Sequence, residues 1–145
     1  MSDHIRRVFV DTNVLVYAHD SAAGDRHVKA RELLRSLWAD GTGALSTQVL
    51  QEFYAVATRK MKPPMTKAEA RRIVADYSEW CVVDTDPLLI VSASDLEERH
   101  SLSFWDALIV EAALRADAET LVSEDMQEGR VFVNLTVRNP FGGDV

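Results

Sequence analysis

Short runs of β-branched and aromatic residues alternate along this chain with longer segments whose apolar residues recur at helical spacing. The first run is RVFV at residues 7–10, and it ends abruptly at Asp11. Such runs are typical of buried strands, and strands that alternate with helices form parallel sheets that those helices cover. The sequence therefore predicts an α/β fold with a small parallel sheet.

The other elements follow from the same patterns. Further strands are predicted at residues 43–46, 82–83, 120–123 and 131–133. Helices are predicted at residues 27–40, 47–60 and 66–80, and two more begin near Pro87 and Ser103. Asp86 and Pro87 form a typical pair of cap and first-turn residues. We expect the strand at 7–10 to lead into a loop, followed by a polar stretch at residues 21–25.

Length and composition limit the class of protein. A chain of 145 residues predicts a single domain over residues 1–145. With 47% apolar and 27% charged residues, a disordered or collagen-like chain is excluded. No apolar run approaches the roughly 20 residues of a membrane-spanning helix, and residues 8–10 are too short for a signal-peptide core. Because the single cysteine, Cys81, also fits a reducing compartment, we expect a cytoplasmic protein that does not associate with membranes.

The charge distribution is uneven. A formal net charge of −7 argues against a protein that coats nucleic acid non-specifically, although acids held as metal ligands would account for part of the excess. The segment from Arg59 to Arg72 is nevertheless basic, and its only acid is Glu69. It is a candidate for contact with phosphates, through Arg59, Lys60, Lys62, Arg71 and Arg72. The alternative is that these cations are the solvated surface of two helices.

Asp11 and Asp125 both follow predicted strands. In open α/β sheets, ligands bind beyond the carboxyl ends of the strands, so the two carboxylates belong on the same rim. The alternative is that each is an ordinary turn or N-cap aspartate, which is a common use of either residue alone.

Asp106 heads an apolar stripe formed by Ile109, Val110 and Ala113, at i+3, i+4 and i+7. A carboxylate that is buried with such a stripe must be paired, hydrogen-bonded or bound to a metal ion. A capping box with Ser103 is the alternative, and it does not exclude metal ligation.

Glu52 lies at the edge of the apolar arc of its helix, close to Val56 on a helical wheel. It can therefore reach inward toward the other acids. The alternative is a partly solvated glutamate that faces Arg59.

Four carboxylates without a cation in their motifs repel one another, and hard divalent ions with oxygen ligands are the natural compensation. A pair of Mg²⁺ or Mn²⁺ ions can activate water and stabilise the departing oxygen when a phosphodiester is cleaved. Zinc is disfavoured because no pair of histidines has ligand spacing, and we expect all four to be surface or packing residues: His4, His19, His27 and His100.

Four segments together resemble the PIN domain, and more narrowly the VapC-type ribonuclease toxins of toxin–antitoxin pairs. They occur in the family's order across nearly the whole chain: VFVDTNVLVY with Asp11, LSTQVLQEFYAVATRK with Glu52, LSFWDALIVEAAL with Asp106, and LVSEDMQEG with Asp125. The resemblance implies a three-layer α/β/α fold around the small parallel sheet, and endonucleolytic cleavage of RNA with Mg²⁺ or Mn²⁺.

The resemblance also implies roles for individual residues. Asp11 and Asp106 would bind the metal ion directly, and Glu52 and Asp125 would complete the cluster directly or through water. Among the residues that support them, Thr12 and Asn13 would orient the first loop and Ser123 would support Asp125. Glu124 could substitute for Asp125, but the S-x-D pattern assigns the role to Asp125. The expected partners are the RNA substrate, a cognate antitoxin protein and a second copy of the chain in a homodimer.

Other functions remain open. A haloacid-dehalogenase-like phosphatase would need a second aspartate where this chain has Asn13, and a receiver domain would need a lysine near TLVSED, which offers none. A catalytically idle PIN-like interaction module would bind partners without binding a divalent ion. A nuclease acting on DNA or another phosphate substrate is the remaining alternative.

Overall fold

The computed structural model describes residues 6–142. In this range the strands are β1 (Arg7–Val10), β2 (Gly43–Ser46), β3 (Cys81–Val83), β4 (Ala118–Val122), β5 (Val131–Phe132) and β6 (Leu135–Arg138). The helices are α1 (Thr12–His19), α2 (Asp25–Asp40), α3 (Thr47–Arg59), α4 (Lys67–Tyr77), α5 (Pro87–His100) and α6 (Phe104–Arg115), with a short 3₁₀ turn at Ser21–Ala23.

The strands form one mixed sheet in the order β3-β2-β1-β4-β6-β5. All neighbouring pairs are parallel except β5 and β6, which form an antiparallel edge hairpin. The chain moves from β1 outward through β2 to β3, and then returns to place β4 on the other side of β1. Because parallel crossovers are right-handed, this reversal puts α1–α4 on one face and α5 and α6 on the other. The three-layer α/β/α prediction is thereby confirmed.

A continuous apolar core lies between these layers. Phe9 and Val10 of β1 are fully buried, as are Leu15 of α1 and Phe53 of α3. Leu121 of β4 is the partner of Phe9 in the sheet register, so the two central strands present adjacent apolar side chains to the core. The central position of β1 explains why Val8, Phe9 and Val10 form an apolar run without alternation.

Helix boundaries agree with the capping signals in the sequence. Asp86 accepts a hydrogen bond from the backbone N–H of Leu89 at 2.8 Å, with Pro87 in the first turn, and so begins α5. Gly41 ends α2 in the left-handed conformation, with φ of 69°. Each of these caps satisfies backbone groups that the helix itself leaves unpaired.

One expectation about local structure is wrong, and a second is incomplete. The segment after Asp11 is the helix α1 rather than a loop, because Asp11 caps it and Val14, Leu15 and Ala18 are buried against the core. The second concerns the C-terminal part of the sheet, where the chain forms a further strand, β6, between β4 and β5. The strand predicted at 131–133 is an edge strand that pairs antiparallel with β6, and Val133 leaves it with a positive φ of 57°.

No helix within residues 6–142 combines the length and the apolar character that a membrane-spanning segment needs.

Candidate active site

The candidate site lies where β1 and β4 end side by side. Asp11 follows β1, its backbone N–H donates to the carbonyl of Val122 at 3.0 Å, and its carboxylate accepts from the backbone N–H of Thr12 at 2.7 Å. The N-cap interpretation of Asp11 is thus correct, yet the side chain is only 7% exposed. The reversal of strand order at β1 opens a crevice here, which is where ligands bind in sheets of this topology.

A hydrogen-bond network joins Asp11 to Asp125. The Ser123 hydroxyl donates to Asp11 Oδ2 at 2.8 Å and accepts from the backbone N–H of Asp125 at 3.2 Å. The Asn13 amide donates to Asp125 Oδ2 at 3.0 Å and, more weakly, to Asp11 Oδ2 at 3.5 Å. Ser123 and Asn13 therefore hold two carboxylates that are distant in sequence on the same rim of the sheet.

Glu52 reaches the same place from α3. Its Oε1 accepts from the hydroxyl of Thr12 at 2.6 Å, and its Oε2 accepts from the amide of Gln48 at 3.2 Å. The alternative of Glu52 facing Arg59 finds no support, because the hydrogen bonds of Glu52 run to the residue beside Asp11.

Asp106 lies in the first turn of α6. Its backbone N–H donates to the Ser103 hydroxyl at 3.1 Å, so Ser103 is the N-cap of α6, whereas the hydrogen bond from the Ser103 backbone N–H to the Asp106 carboxylate that would complete a capping box does not occur among the described residues. The same side chain also lines the cleft that holds the other three acids. The contact with Ser103 and a place in the acid cluster are thus compatible.

The four acids line one cleft with a volume of about 340 Å³. The other polar residues of its lining are Thr12, Asn13 and Gln48, and the remainder are apolar or aromatic: Val16, Tyr17, Val56, Trp105 and Ile109. Among the described residues, none that lines this cleft is a lysine, arginine or histidine. The cleft therefore concentrates negative charge beside an apolar wall.

Burial and mutual repulsion act on the carboxyl groups. Burial is the largest influence on Asp11, and repulsion from Glu52 and Asp106 adds to it, so the pKa of Asp11 rises from 3.8 to about 6 despite the hydrogen bonds from Ser123 and Thr12. Burial also raises the pKa of Asp106, and the charges of Asp125 and Glu52 contribute in the same direction. Among the described residues that line this cleft, none supplies a positive charge to offset the repulsion, although Arg130 lines a neighbouring depression together with Asp106 and Asp125.

The donor chemistry of the cleft fits a hard divalent cation, because carboxylate and amide oxygens are its preferred ligands. Gln48 supplies a second indication, since its Oε1 is buried without a hydrogen-bond partner and Gln48 lines the same cleft. As the side chains stand, however, no three His, Cys, Asp or Glu residues in the described part of the chain are grouped so that they could hold a metal ion. Several carboxylate oxygens are instead turned toward Thr12, Asn13, Ser123 and Gln48. Ligation would therefore exchange some of these hydrogen bonds for contacts with the ion.

Glu124 has a different role from Asp125. It pairs with Arg26 at 2.6 Å and accepts from the Tyr17 hydroxyl at 2.9 Å, whereas Asp125 faces the cleft. The geometry favours the S-x-D alignment, with Asp125 as the fourth acid.

The basic segment lies outside the cleft. Its five candidate cations, Arg59, Lys60, Lys62, Arg71 and Arg72, are exposed at the end of α3, in the turn that follows and on α4. Arg71 lines a separate apolar groove between α3 and α4, with Leu50, Tyr54 and Val74 among its neighbours. A contact of this segment with phosphates stays a prediction.

Of the histidines within residues 6–142, none lines the cleft. His19 packs edge-on against Phe53 and Tyr77, and His100 packs against Phe132. His27 makes a hydrogen bond with the Tyr17 carbonyl at 2.9 Å, and His4 lies outside the described residues.

Sequence reasoning did not identify Gln48, Tyr17 or Trp105 as cleft residues. For Gln48, a signal existed in its i, i+4 spacing from Glu52 on one face of α3. Trp105 directly precedes Asp106, but nothing in the sequence distinguishes an exposed tryptophan from a core residue there. Tyr17 lies on α1, the helix that the sequence pattern did not predict.

Comparison with protein families matches residues 8–130 to the PIN domain. A comparison with curated proteins found no match. Among solved structures, a toxin–antitoxin complex from Klebsiella pneumoniae has a TM-score of 0.67 at 19% identity, over 92% of this chain and 98% of that chain. The Mycobacterium tuberculosis toxin VapC20, described as cleaving the sarcin–ricin loop, has a TM-score of 0.59 at 21% identity, over 79% and 86% of the two chains. A DNA-bound VapBC from Salmonella typhimurium has a TM-score of 0.65 at 13% identity, over 93% and 98%. These structural likenesses concern the fold.

Proposed function

This chain belongs to the PIN domain family, and on that premise we propose that it is a divalent-metal-dependent endoribonuclease that hydrolyses RNA phosphodiester bonds. The observation that carries the proposal is the cleft in which Asp11, Glu52, Asp106 and Asp125 meet without a cationic side chain among the described lining residues. Negative charge gathered in this way repels phosphate unless divalent cations accompany the substrate.

Each acid has a place in the proposed mechanism. Asp11 and Asp106 would hold Mg²⁺ or Mn²⁺, and Glu52 and Asp125 would complete the set directly or through water. Such an ion supplies Lewis acidity and an activated water for in-line displacement at phosphorus, which leaves 5′-phosphate and 3′-hydroxyl products. Carboxylates that are turned toward the cleft can also accept the proton that the attacking water releases.

The neighbouring polar residues keep the acids in position. Thr12 holds Glu52, while Asn13 and Ser123 join Asp11 to Asp125. Such supporting contacts orient ligands and tune their basicity, and their loss typically lowers metal affinity or activity about 10-fold to 100-fold. We propose that these three residues position ligands without touching the reacting phosphate.

RNA cleavage with and without metal tests the proposal. Purified protein is incubated with a panel of structured RNAs in EDTA, in Mg²⁺ and in Mn²⁺, and the ends of the products are identified. We expect cleavage with either ion, none in EDTA, and loss of cleavage in Asp11→Ala and Asp106→Asn. Asp95→Asn, which changes an exposed carboxylate of α5, is the matched control and should cleave as wild type does.

Undiminished cleavage by Asp11→Ala or Asp106→Asn would identify the activity as a contaminant. Two further controls address the alternatives. An idle interaction module would show no stabilisation by divalent ions in a thermal melt. A nuclease for another substrate would cleave single-stranded DNA in preference to RNA.

The basic segment is proposed to guide RNA toward the cleft through Arg59, Lys60, Lys62, Arg71 and Arg72. All five are exposed and separated from the acids, as a positive surface for the phosphate backbone would be. Neutralising them should weaken RNA binding and reduce its salt dependence. Unchanged affinity and salt dependence would remove this part of the proposal.

We further propose that the protein is the toxin of a type II toxin–antitoxin system, and that it acts in the cytoplasm as a single domain over residues 1–145. The support is the shared fold with proteins that are described as toxin–antitoxin complexes. Its expected partners are RNA, a cognate antitoxin and a second copy of the chain. A short neighbouring reading frame whose product binds the chain and inhibits RNA cleavage would support this setting. If expression of the chain without that product had no effect on cell growth, the toxin proposal would be contradicted.

A further inference from the structure

Trp105 is an exposed aromatic side chain within the acid cleft. It is 64% exposed, although it directly precedes Asp106 and lines the same cleft as the four acids. An indole is a large apolar surface, and leaving most of it in water forgoes the free energy of its burial. Ligand-binding clefts are typically lined by aromatic side chains together with a few polar or charged groups, and the ligand covers them when it binds.

The surroundings of Trp105 define what could cover it. Its ring meets Phe104 edge-on, with centroids 5.4 Å apart and an angle of 69° between the planes. The same cleft has an apolar wall formed by Val16, Val56 and Ile109. The apolar wall suits a flat apolar group, and acids that hold divalent ions suit a phosphate, so the cleft fits a ligand that carries both. A nucleotide unit of a single strand has this composition.

Other exposed apolar residues do not share this setting. Trp38, which is 41% exposed, packs against Tyr77 and Trp80 and lies in a different depression of the surface. Leu88, which is 67% exposed, lies on α5 and is not part of the cleft lining.

We infer that Trp105 is a specificity-determining residue, on which a nucleobase next to the scissile phosphate stacks while that phosphate lies beside the divalent ions that the acids would hold. The inference deepens the proposed function and rests on it. Aromatic side chains bind unpaired bases in this way because every base has a π-face, whereas bases in a duplex are already stacked. The chain therefore selects single-stranded RNA at the site of cleavage.

The inference is tested by a double-mutant cycle in which the Trp105 side chain and single bases of the substrate are removed separately and together. The probe is a short single-stranded RNA that wild type cuts at one position, selected from a randomised pool, with an abasic residue placed in turn at each position around the cut. Kinetics are measured for wild type, Trp105→Ala and Trp105→Phe, and Leu88→Ala is the matched control for loss of an exposed apolar side chain. Thermal melts confirm that the variants are folded.

We expect Trp105→Ala to raise KM about 5-fold to 150-fold on the intact RNA, with a smaller change in kcat, because stacking is lost in the ground state and transition state alike. Trp105→Phe should recover most of the loss, and Leu88→Ala should behave as wild type. At one position beside the cut, removal of the base should raise KM for wild type. At that position the further increase in KM caused by Trp105→Ala should become smaller, which identifies the stacked base.

Two results would overturn the inference. If wild type cleaves RNA and the Trp105→Ala penalty is absent or equal on every abasic probe, Trp105 does not stack on a base while the proposed function stands. A change in self-association or antitoxin binding without a base-dependent effect would assign Trp105 to a protein interface. If wild type cuts the structured RNAs but no single-stranded RNA in the pool, the inference fails while the proposed function stands; if it cuts neither, both fail.

Discussion

The charge of Asp11 should destabilise the metal-free protein, and Asp11→Asn should therefore stabilise it. Burial raises the pKa of Asp11 from 3.8 to about 6, which means that the folded state favours the neutral form. At 1.36 kcal/mol for each pKa unit, ionisation of Asp11 lowers the free energy of unfolding by ~3 kcal/mol at pH 7.

Asparagine reproduces most, but not all, of the contacts of the neutral carboxyl group. Its carbonyl can accept from the backbone N–H of Thr12, and asparagine is as good an N-cap as aspartate. If the amide nitrogen of the asparagine faces Ser123, the Ser123 hydroxyl loses the oxygen to which it donates. The loss of this hydrogen bond costs about 1 kcal/mol. The net expectation is a gain of about 1–2 kcal/mol for Asp11→Asn at pH 7 in EDTA.

The pH dependence of the unfolding free energy checks independently whether the charge of Asp11 destabilises the protein. Between pH 3.8 and about 6 the folded state binds more protons at Asp11 than the unfolded state does, so this group reduces stability as pH rises through that window. Below pH 3.8 the penalty is absent, and above pH 6 it is complete. The difference in unfolding free energy between Asp11→Asn and wild type should therefore grow between pH 4 and 6 and then level off.

Urea unfolding in EDTA across this pH range measures the difference directly, with Asp95→Asn as the control for an exposed carboxylate that should change stability by less than about 0.5 kcal/mol. In Mn²⁺ at 100 times its Kd, wild type should gain about 2.7 kcal/mol and Asp11→Asn much less, so the order of stability reverses. If Asp11→Asn is less stable than wild type in EDTA at pH 7, the charge of Asp11 does not destabilise the metal-free protein. Asp11 would then act mainly as a stabilising N-cap.

Three further substitutions test separate parts of the structure. Asn13→Ala removes the contacts that tie Asp125 and the Glu124 backbone to α1, so Mn²⁺ affinity measured by calorimetry should fall about 10-fold to 100-fold, and an unchanged Kd would contradict a positioning role. Gly43→Ala would put a methyl group 2.5 Å from the Trp80 ring, so unfolding free energy should fall by about 1–3 kcal/mol, whereas a neutral result would mean that the ring moves freely. Ser103→Ala removes the cap of α6, which should cost about 1 kcal/mol in a denaturant melt, and no loss would show that the cap contributes nothing.

Much of the fold could be predicted because local patterns and topology agree. The strand at Arg7–Val10, the end of α2 at Gly41 and the start of α5 at Asp86 are set by residues adjacent in sequence. The meeting of Asp11 and Asp125 follows from a rule about parallel strands rather than from any local signal. These features could therefore be predicted without knowledge of side-chain packing.

The remainder depends on tertiary contacts that a sequence pattern does not contain. Helix α1 has only eight residues, and it is held by the Asp11 cap and by burial of Val14 and Leu15. Strand β6 gains its partners only once β4 and β5 are in place on either side. The acids are held by Thr12, Asn13 and Ser123, and in the described part of the chain no three of them are grouped as a ready metal site, which the sequence could not indicate.

Anomalous diffraction from crystals soaked in Mn²⁺ would show whether the acid cleft binds divalent cations. We expect an anomalous peak in the cleft at about 2.0–2.2 Å from carboxylate oxygens of both Asp11 and Asp106, with Glu52 and Asp125 rotated toward it or linked through water. A cleft without a peak at saturating Mn²⁺, or Mn²⁺ bound only elsewhere on the molecule, would mean that the four acids do not form a metal site.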